Sequence, residues 1–261
     1  MAHLVGFDIP VILDVEMVAP GEGEIAAAKR LLERLLPPYS RFFDAVTGDA
    51  LYFEGPFFNH CRKHGKHYVA VLKENNPALL EEAKTLLSGE PDLVREDDRP
   101  SVRYWDQEEF TTDAIKETFR ILHTEETETK KERIAGKRVE KEQTTTWFWG
   151  TSIPQSVVPS RQLCQIGHHR WKIENRVFNA LSANWGLDHC FHHHPQAILN
   201  FILILFIAYT LVECFFQLNL KDPLRKRLTL IALASEILTG IAAMSNRLAP
   251  WLRPMNNSPP T

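Results

Sequence analysis

Asp49 is the first residue whose type and position could support chemistry. It follows Gly48 and the apolar stretch Phe42 to Thr47, so it stands where a predicted buried strand runs out into a loop. In α/β sheets ligands bind outside the carboxyl ends of the strands, and a carboxylate there can hold a divalent cation. An aspartate is also typical of a turn or a helix N-terminus, and the position alone favours that structural role.

Glu174 is the second candidate, in the string HHRWKIENR. Arg170 and Glu174 are four residues apart and therefore share one face of a predicted helix, whereas Trp171 and Phe178 follow its apolar face. An exposed ion pair at this spacing contributes only a few tenths of a kcal/mol and needs no catalytic explanation. The spacing alone therefore favours a structural role here as well.

The patterns around Asp49 predict the elements that position it. Short apolar or alternating runs predict strands at Val11 to Val18, Phe42 to Thr47 and His67 to Lys73. Apolar residues at helical spacing predict helices at 22–36, 55–64 and 77–87, the first of which should end at Pro37-Pro38. Strands and helices that alternate in this way are typical of an α/β layer architecture.

The pattern changes after residue 87. Strands are expected at 103–110, 118–124 and 144–150, with a charged hairpin or loop at 125–143, and helices are expected at 159–183, 195–217 and 224–245. We expect five regions in chain order. Residues 1–87 form the first part of the α/β core, 88–150 a β-rich insertion, 151–194 the Glu174 helix of the core, 195–250 C-terminal helices, and 251–261 a disordered tail.

The composition excludes several classes of protein. The chain has 261 residues, a formal net charge of −3 and 44% hydrophobic residues, which excludes a mainly disordered chain and a collagen-like repeat. Its four cysteines contain no Cys-x-x-Cys pair, which is typical of free thiols in a reducing compartment. The first residues lack a signal-peptide pattern. We therefore expect a cytoplasmic protein in which nucleic acid would contact only local basic runs.

One apolar run bears on whether the protein is associated with a membrane. Residues 197–216 are long enough to span a bilayer, but Asn200 and Glu213 interrupt the run. A helix that is apolar all round can also be the central helix of a protein core. We expect no membrane partner, with Ile198 to Phe215 packed inside a helical layer against the sheet or against residues 228–244. Membrane association through residues 197–216 remains an alternative.

Three strings, taken together, indicate a family. They are GDALY at 48–52, HYVAVLKEN at 67–75 and RWKIEN at 170–175, with the β-rich insertion between the second and the third. In this order they resemble the DDE transposases of bacterial insertion sequences, in the IS-four-like group, whose catalytic core is ribonuclease-H-like. The resemblance extends from about residue 4 to residue 215.

The resemblance implies a ribonuclease-H-like α/β fold and a cut-and-paste reaction at transposon ends. In this family three carboxylates bind two Mg²⁺ or Mn²⁺ ions, and Asp49 matches the second carboxylate and Glu174 the third. Arg170 matches the arginine of the family's helix signature, and with Lys172 and Arg176 it is expected to contact DNA phosphates. The implied partner is double-stranded DNA, at both the transposon ends and the target, and a homodimer could form the synaptic complex.

The chain also departs from the family pattern. The tyrosine and lysine of the helix signature would fall at Gly167 and Leu181, and the first catalytic aspartate is missing. The strand that carries this aspartate would lie N-terminal to Met1. The resemblance therefore predicts the C-terminal part of a transposase, which would be inactive alone because one metal ligand is missing.

Other carboxylates do not replace the missing aspartate. Asp8, Asp14 and Glu16 lie on or near a strand that follows the expected position of that residue in the family order. A catalytically inactive DNA-binding or interaction remnant of a transposase is therefore the first alternative. A membrane-associated protein is the second.

Two sets of residues have simpler explanations than a separate site. The histidines at 168–169 and 189–194 lack zinc-finger spacing, so a polar loop that caps the following long helix is favoured over a zinc site. Trp105, Trp147 and Trp149 alternate along predicted strands, which favours a small β core over base stacking.

Overall fold

The computed structural model describes residues 1–6, 9, 11–96, 100–134, 137–189 and 192–248. These residues form two units. The first unit contains Met1–Gly6 and Leu13–Val177, and the second contains the described residues of 7–12 and 178–261. Both candidate carboxylates belong to the first unit.

The elements as far as residue 178 follow the predicted alternation and then the predicted β-rich insertion. In chain order they are β1 (Ala2–Leu4), β2 (Val11–Asp14), α1 (Glu24–Tyr39), β3 (Ala45–Gly48), α2 (Gly55–Lys63), β4 (His67–Val71), α3 (Pro77–Leu86), β5 (Leu93–Arg95), β6 (Ser101–Thr112), β7 (Ile115–Ile134), β8 (Lys137–Thr151), α4 (Ser160–His169) and the π-helical segment Ile173–Phe178.

α1 is longer than the sequence predicted. Its buried residues recur at helical spacing: Ala27, Leu31, Leu32 and Leu35. Pro37 and Pro38 were expected to end the helix, but both lie in its last turn. The Ser40 N–H donates to the Leu36 carbonyl and closes that turn, although neither proline has an N–H to contribute.

β2 is shorter than the sequence predicted. The strand ends at Asp14 rather than at Val18. Asp14 Oδ1 accepts a hydrogen bond from the Val15 N–H at 2.7 Å, so the side chain takes a donor that could otherwise continue the ladder. β2 pairs with β1 in a two-stranded sheet and does not join the main sheet.

The main sheet has six described strands in the order β3-β4-β8-β7-β6-β5. β3 and β4 are parallel, with Val46 opposite Tyr68, and all other neighbours are antiparallel. Asp49 directly follows β3, so it lies at the carboxyl ends of this parallel pair, whereas the loop before β4 lies at the opposite end of the sheet. The mixed sheet with its helices confirms the predicted α/β fold class and is consistent with a ribonuclease-H-like core.

The β-rich insertion consists of long antiparallel strands. β7 and β8 pair from Arg120 opposite Thr151 to Ile134 opposite Lys137, so the charged stretch 125–143 forms a hairpin and not a loop. The turn predicted at Ala135-Gly136 lies outside the described residues. Trp105 and Trp149 are buried, as expected for a β core.

The helix predicted over residues 159–183 is divided into α4, the π-helical segment and α5 (Asn179–Asn184). Close packing explains the position of Gly167 in α4, because a Cβ there would come within 2.6 Å of a Trp149 ring carbon. Glu174 lies in the π-helical segment. Wider turns of this kind are rare inside helices and are frequent at functional sites.

The second unit is helical. Its helices are α5, α6 (Pro195–Cys214), α7 (Asp222–Arg225) and α8 (Leu230–Leu248), and the π-helical segment Phe215–Asn219 follows α6. His194 Nδ1 accepts a hydrogen bond from the Gln196 N–H at 3.2 Å. The histidine-rich loop therefore caps α6, as the sequence predicted.

The prediction that Ile198 to Phe215 packs inside a helical layer is confirmed only in part, because α6 contacts α8 but leaves many of its apolar side chains exposed. Leu205, Phe206 and Tyr209 are buried, but Ile204 is 67% and Leu211 is 64% exposed. Within this unit α6 contacts α8, and the Trp185 ring lies 5.4 Å from the Tyr209 ring, so these neighbours cover only part of a helix that is apolar all round. By length and composition, Pro195–Asn219 could cross a membrane.

Candidate metal centre

Asp49 occupies the carboxyl end of β3, as the sequence predicted. Its Oδ1 accepts a hydrogen bond from the Leu51 N–H at 2.9 Å and so caps the short 3-10 helix Ala50–Tyr52. Gly48 permits this tight turn, because a Cβ there would lie 2.7 Å from the Tyr52 Cβ. Among the described residues no group donates a hydrogen bond to Asp49 Oδ2, which is therefore available as a ligand.

Tyr52 connects a third carboxylate to this end of the sheet. Its hydroxyl donates to Glu24 Oε1 at 2.7 Å, across 28 residues of sequence. Burial raises the pKa of Tyr52, and the hydrogen bond to Glu24 and the charges of Glu24 and Asp49 raise it further. The negative charges of two carboxylates, Glu24 and Asp49, thus both raise the pKa of the Tyr52 hydroxyl. Sequence analysis missed Glu24, because an acidic residue in the first turn of α1 is expected for the helix alone.

Glu174 is 54% exposed and forms an ion pair with Arg170, whose Nη1 lies 3.1 Å from Glu174 Oε1. The Arg170 guanidinium lies 5.3 Å from the centre of the Trp171 ring. The ion pair is the structural alternative that the four-residue spacing predicted, whereas the contact with Trp171 was not predicted. The Glu174 carboxylate is still accessible to a cation, because it is more than half exposed, although the Arg170 side chain beside it is only 15% exposed.

The other predicted DNA contacts lie in the same segment. Lys172 is half-buried, two residues after Arg170. Arg176 belongs to the π-helical segment, but its side chain lies outside the part of the chain that the structure describes. The basic residues therefore follow one another along the segment that carries Glu174.

A cavity of about 530 Å³ in the first unit is lined by residues from the segment around Asp49 and from the segment before Glu174. Thr47 and Tyr52, on either side of Asp49 in sequence, line it, and Arg170 and Ile173, just before Glu174, line it as well. The fold therefore brings the end of β3 and the end of α4 to one cavity. The distance between the Asp49 and Glu174 carboxylates remains a prediction, about 4–8 Å for groups that share bound ions.

Asp14 and Glu16 form ion pairs with arginines, so they are poor candidates for the missing carboxylate. Arg34 Nε lies 2.5 Å from Asp14 Oδ2, and the Arg34 guanidinium also binds Glu16. Arg30 Nε donates to Glu16 Oε1 at 3.0 Å. The hydrogen bond from Arg34, followed by that from Arg30, lowers the pKa of Glu16. Asp8 lies outside the described residues.

A cluster of different composition escaped the sequence analysis. His168 Nε2 lies 2.6 Å from Glu126 Oε1, and Cys164 Sγ lies 3.5 Å from the same oxygen. Burial, and then the Glu126 charge, raise the pKa of Cys164. The available signal was the four-residue spacing of Cys164 and His168 on one helix face, and Glu126 comes from a distant strand. Each of these groups is already hydrogen-bonded within the cluster.

The comparison with known families covers most of the chain. A family model described as a transposase DDE domain matches residues 3–211. No functionally curated protein matches the chain. The family carries out polynucleotidyl transfer that depends on divalent metal ions, and it binds DNA at transposon ends. The chain therefore belongs to the family of the transposase DDE domain.

Proposed function

We propose that this chain carries part of the catalytic core of an IS-four-like transposase, an enzyme that cuts and joins DNA at transposon ends. The cavity supports the proposal, because residues close to Asp49 and to Glu174 in sequence line it, although neither carboxylate does, and the family match by itself does not assign residues. In this proposal residues 1–87 and 151–194 form the core, 88–150 the insertion and 195–250 the C-terminal helices, whereas the tail expected at 251–261 lies outside the described residues.

Asp49 and Glu174 are the proposed ligands for Mg²⁺ or Mn²⁺. Both supply hard carboxylate oxygens, which these cations prefer, and neither is enclosed by arginines as Asp14 and Glu16 are. When bound, such ions neutralise charge that develops on the attacking and leaving oxygens of a phosphoryl transfer. Asp49 is positioned by the Leu51 N–H, and Glu174 by Arg170.

Arg170, Lys172 and Arg176 are the proposed contacts to the phosphates of double-stranded DNA. The formal net charge of −3 makes a general attraction to DNA weak, so binding depends on such local runs and on low salt. Replacing Arg170 and Lys172 by Gln should reduce the slope of log affinity against log salt by about one for each lost contact. The matched control is Lys84→Gln, which removes an exposed cation on α3. An unchanged slope would contradict the assignment.

A strand-nicking assay on supercoiled DNA tests the proposed reaction. We expect that residues 1–261 alone neither nick nor join DNA with Mg²⁺ or Mn²⁺, because Asp49 and Glu174 supply two of the three carboxylates that the reaction needs. Metal-dependent nicking that the Asp49→Ala, Glu174→Ala variant abolishes would show that another carboxylate, such as Glu24, completes the site.

A measurement of DNA affinity with and without Mg²⁺ or Mn²⁺ separates the transposase from its first alternative. An inactive DNA-binding or interaction remnant would bind DNA without any dependence on Asp49, Glu174 or a divalent ion. A transposase core should bind DNA more tightly with Mg²⁺ or Mn²⁺, and this gain should disappear in the double variant, because the ions bridge carboxylates and phosphate. In the proposed reaction the protein acts in the cytoplasm, and a homodimer could hold the two transposon ends.

A second candidate function is membrane association through α6. The exposed apolar side chains of α6 favour it, since Ile204, Ile207 and Leu211 recur on one helix face. Flotation of the purified chain with lipid vesicles would support this candidate. A chain that stays in the dense lower fractions, separate from the floating vesicles, would argue against it.

A further inference from the structure

A second cluster of metal-binding side chains lies between α1 and α2, away from Asp49. It consists of Glu33 on α1, His60 on α2, and His64 at the end of α2. One ligand atom from each residue lies within 4.8 Å of the other two. His64 precedes β4, so the cluster lies at the end of the sheet opposite Asp49.

Two buried ring nitrogens in this cluster have no hydrogen-bond partner. The Nε2 atoms of His60 and His64 are both inaccessible to solvent, and no described group bonds to either. Leaving a buried polar atom without a partner costs free energy, so such atoms are rare and require an explanation. The nearest opposite charge is Glu33 Oε1, which lies 3.8 Å from His60 Nε2, beyond hydrogen-bond distance.

We propose that Glu33, His60 and His64 bind a zinc ion through one carboxylate oxygen and two imidazole nitrogens. Two histidines and one glutamate form a common zinc-ligand set, in which water takes the fourth position. Zn–N and Zn–O bonds of 2.0–2.2 Å at tetrahedral angles place neighbouring ligand atoms about 3.3 Å apart. The three atoms now lie within 4.8 Å of one another, so each pair must move closer by at most about 1.5 Å to bind one ion.

The mobility of the ligands allows this approach. The Glu33 side chain is 57% exposed and can change its rotamer at little cost, whereas His60 is 13% exposed and already packed. The two rings lie with centroids 4.8 Å apart on adjacent turns. The four-residue spacing of the histidines places both on one face of α2, where neutral imidazoles can share an ion.

The local charges act in both directions. Glu33 favours a cation, whereas Lys29 and Lys63 oppose one. A zinc ion there would join α1 to α2 and stabilise the core without taking part in the reaction at Asp49.

Metal analysis of the whole purified chain tests this proposal. After incubation with Zn²⁺ and dialysis we expect about one zinc ion per chain, lost in His60→Gln, His64→Gln and bound at least about tenfold more weakly in Glu33→Gln. Glu33 is exposed, so its substitution leaves the fold intact, and circular dichroism checks the double variant. The matched control is Cys164→Ser, His168→Gln, which alters the other cluster and should keep its zinc.

Spectroscopy with Co²⁺ separates the two clusters independently. A cobalt ion at Glu33, His60 and His64 lacks the thiolate charge-transfer band that a Cys164 ligand would give. The proposal is overturned if the chain retains no zinc, if Glu33→Gln binds as tightly as the parent, or if only the Cys164→Ser, His168→Gln variant loses the metal.

Discussion

Arg120 and Asp106 form a buried ion pair in the β-rich insertion. Arg120 Nε lies 2.6 Å from Asp106 Oδ1, and the side chains are 2% and 1% exposed. Asp106 also accepts from the Ser160 hydroxyl at 2.5 Å, and Arg120 donates to the Val158 carbonyl at 2.7 Å. The pair therefore attaches the insertion to the first turn of α4, the helix that leads to Glu174.

Removing one partner of this pair should destabilise the protein strongly. Asp106→Ala leaves the buried Arg120 guanidinium without its counter-charge, and we expect a loss of about 3–5 kcal/mol in the free energy of unfolding. Urea denaturation measures this loss. The matched control is Glu81→Ala, whose pair with Lys84 is exposed and should contribute less than about 0.5 kcal/mol. Equal effects of the two substitutions would contradict the structure.

His123 should make stability depend on pH. Its ring is stacked between Trp105 and Phe148, at centroid distances of 4.5 and 4.3 Å, and its Nδ1 lies 3.0 Å from the Leu87 carbonyl oxygen. Burial lowers the pKa of His123 below its ordinary value of 6.5, despite the opposing effects of Leu87 and Glu125. Below pH 6.5 the unfolded chain therefore binds more protons than the folded chain.

Stability should accordingly fall as the pH drops from 7 through 6.5 toward the lowered pKa of His123. The contribution of His123 is at most about 1.4 kcal/mol per pH unit. His123→Phe keeps the stacking with Trp105 and Phe148 and removes the titration. The variant should lose less stability than the parent between pH 7 and pH 5, as measured by urea denaturation at each pH. Parallel pH profiles would contradict this account.

Two cysteines should resist alkylation in the folded chain. Cys61 is fully buried and Cys164 is nearly so. Burial raises the pKa of Cys61 to about 12, so only about one thiol in 10⁴ is ionised at pH 8. Mass spectrometry after iodoacetamide treatment should find both unmodified, with the half-buried Cys214 reacting before either of them. Native labelling of Cys61 as fast as in urea would show that the core is open.

The exposed face of α6 should control how the chain behaves without detergent. Ile204, Ile207 and Leu211 form an apolar patch, and such patches promote association with membranes, other chains or detergent. Replacing all three by Glu should raise the fraction of monodisperse protein in detergent-free size-exclusion chromatography. The matched substitution Leu205→Glu, at a buried position of the same helix, should instead lower it. A parent chain that is already monodisperse without detergent would contradict the prediction that this patch causes association.

Local patterns predicted the elements around Asp49 well, because strand and helix signals depend on nearby residues. Phe42 to Thr47 predicted β3, and Pro77 to Leu87 predicted α3. The errors lie where tertiary contacts decide. Asp14 ends β2 by binding its neighbouring N–H, and Pro37-Pro38 remain helical because Ser40 closes the turn. Exposure of α6 could not be predicted, since hydropathy does not say how many neighbours a helix has.

The sequence also predicted the candidate site only in part. Asp49 and Glu174 were candidates by type and position, but only the resemblance favoured a catalytic role, because their local hydrogen bonds are those that any turn or helix would make. Glu24 was missed because its contact with Tyr52 spans 28 residues. The Glu33 cluster was missed because its third ligand comes from another helix, although the four-residue spacing of His60 and His64 was visible.

Asp49 and Glu174 are proposed to bind the same divalent ions. Iron-mediated backbone cleavage tests this proposal, because Fe²⁺ bound in a magnesium site reduces added hydrogen peroxide to hydroxyl radicals, which cut the nearby chain. We expect cuts near both residues, suppressed by excess Mg²⁺ and both lost in either Asp49→Ala or Glu174→Ala. Cuts near Glu33, His60 and His64 would persist under Mg²⁺ and serve as an internal reference. If each variant removed only its own cut, or if neither carboxylate directed cleavage, Asp49 and Glu174 would not form one site.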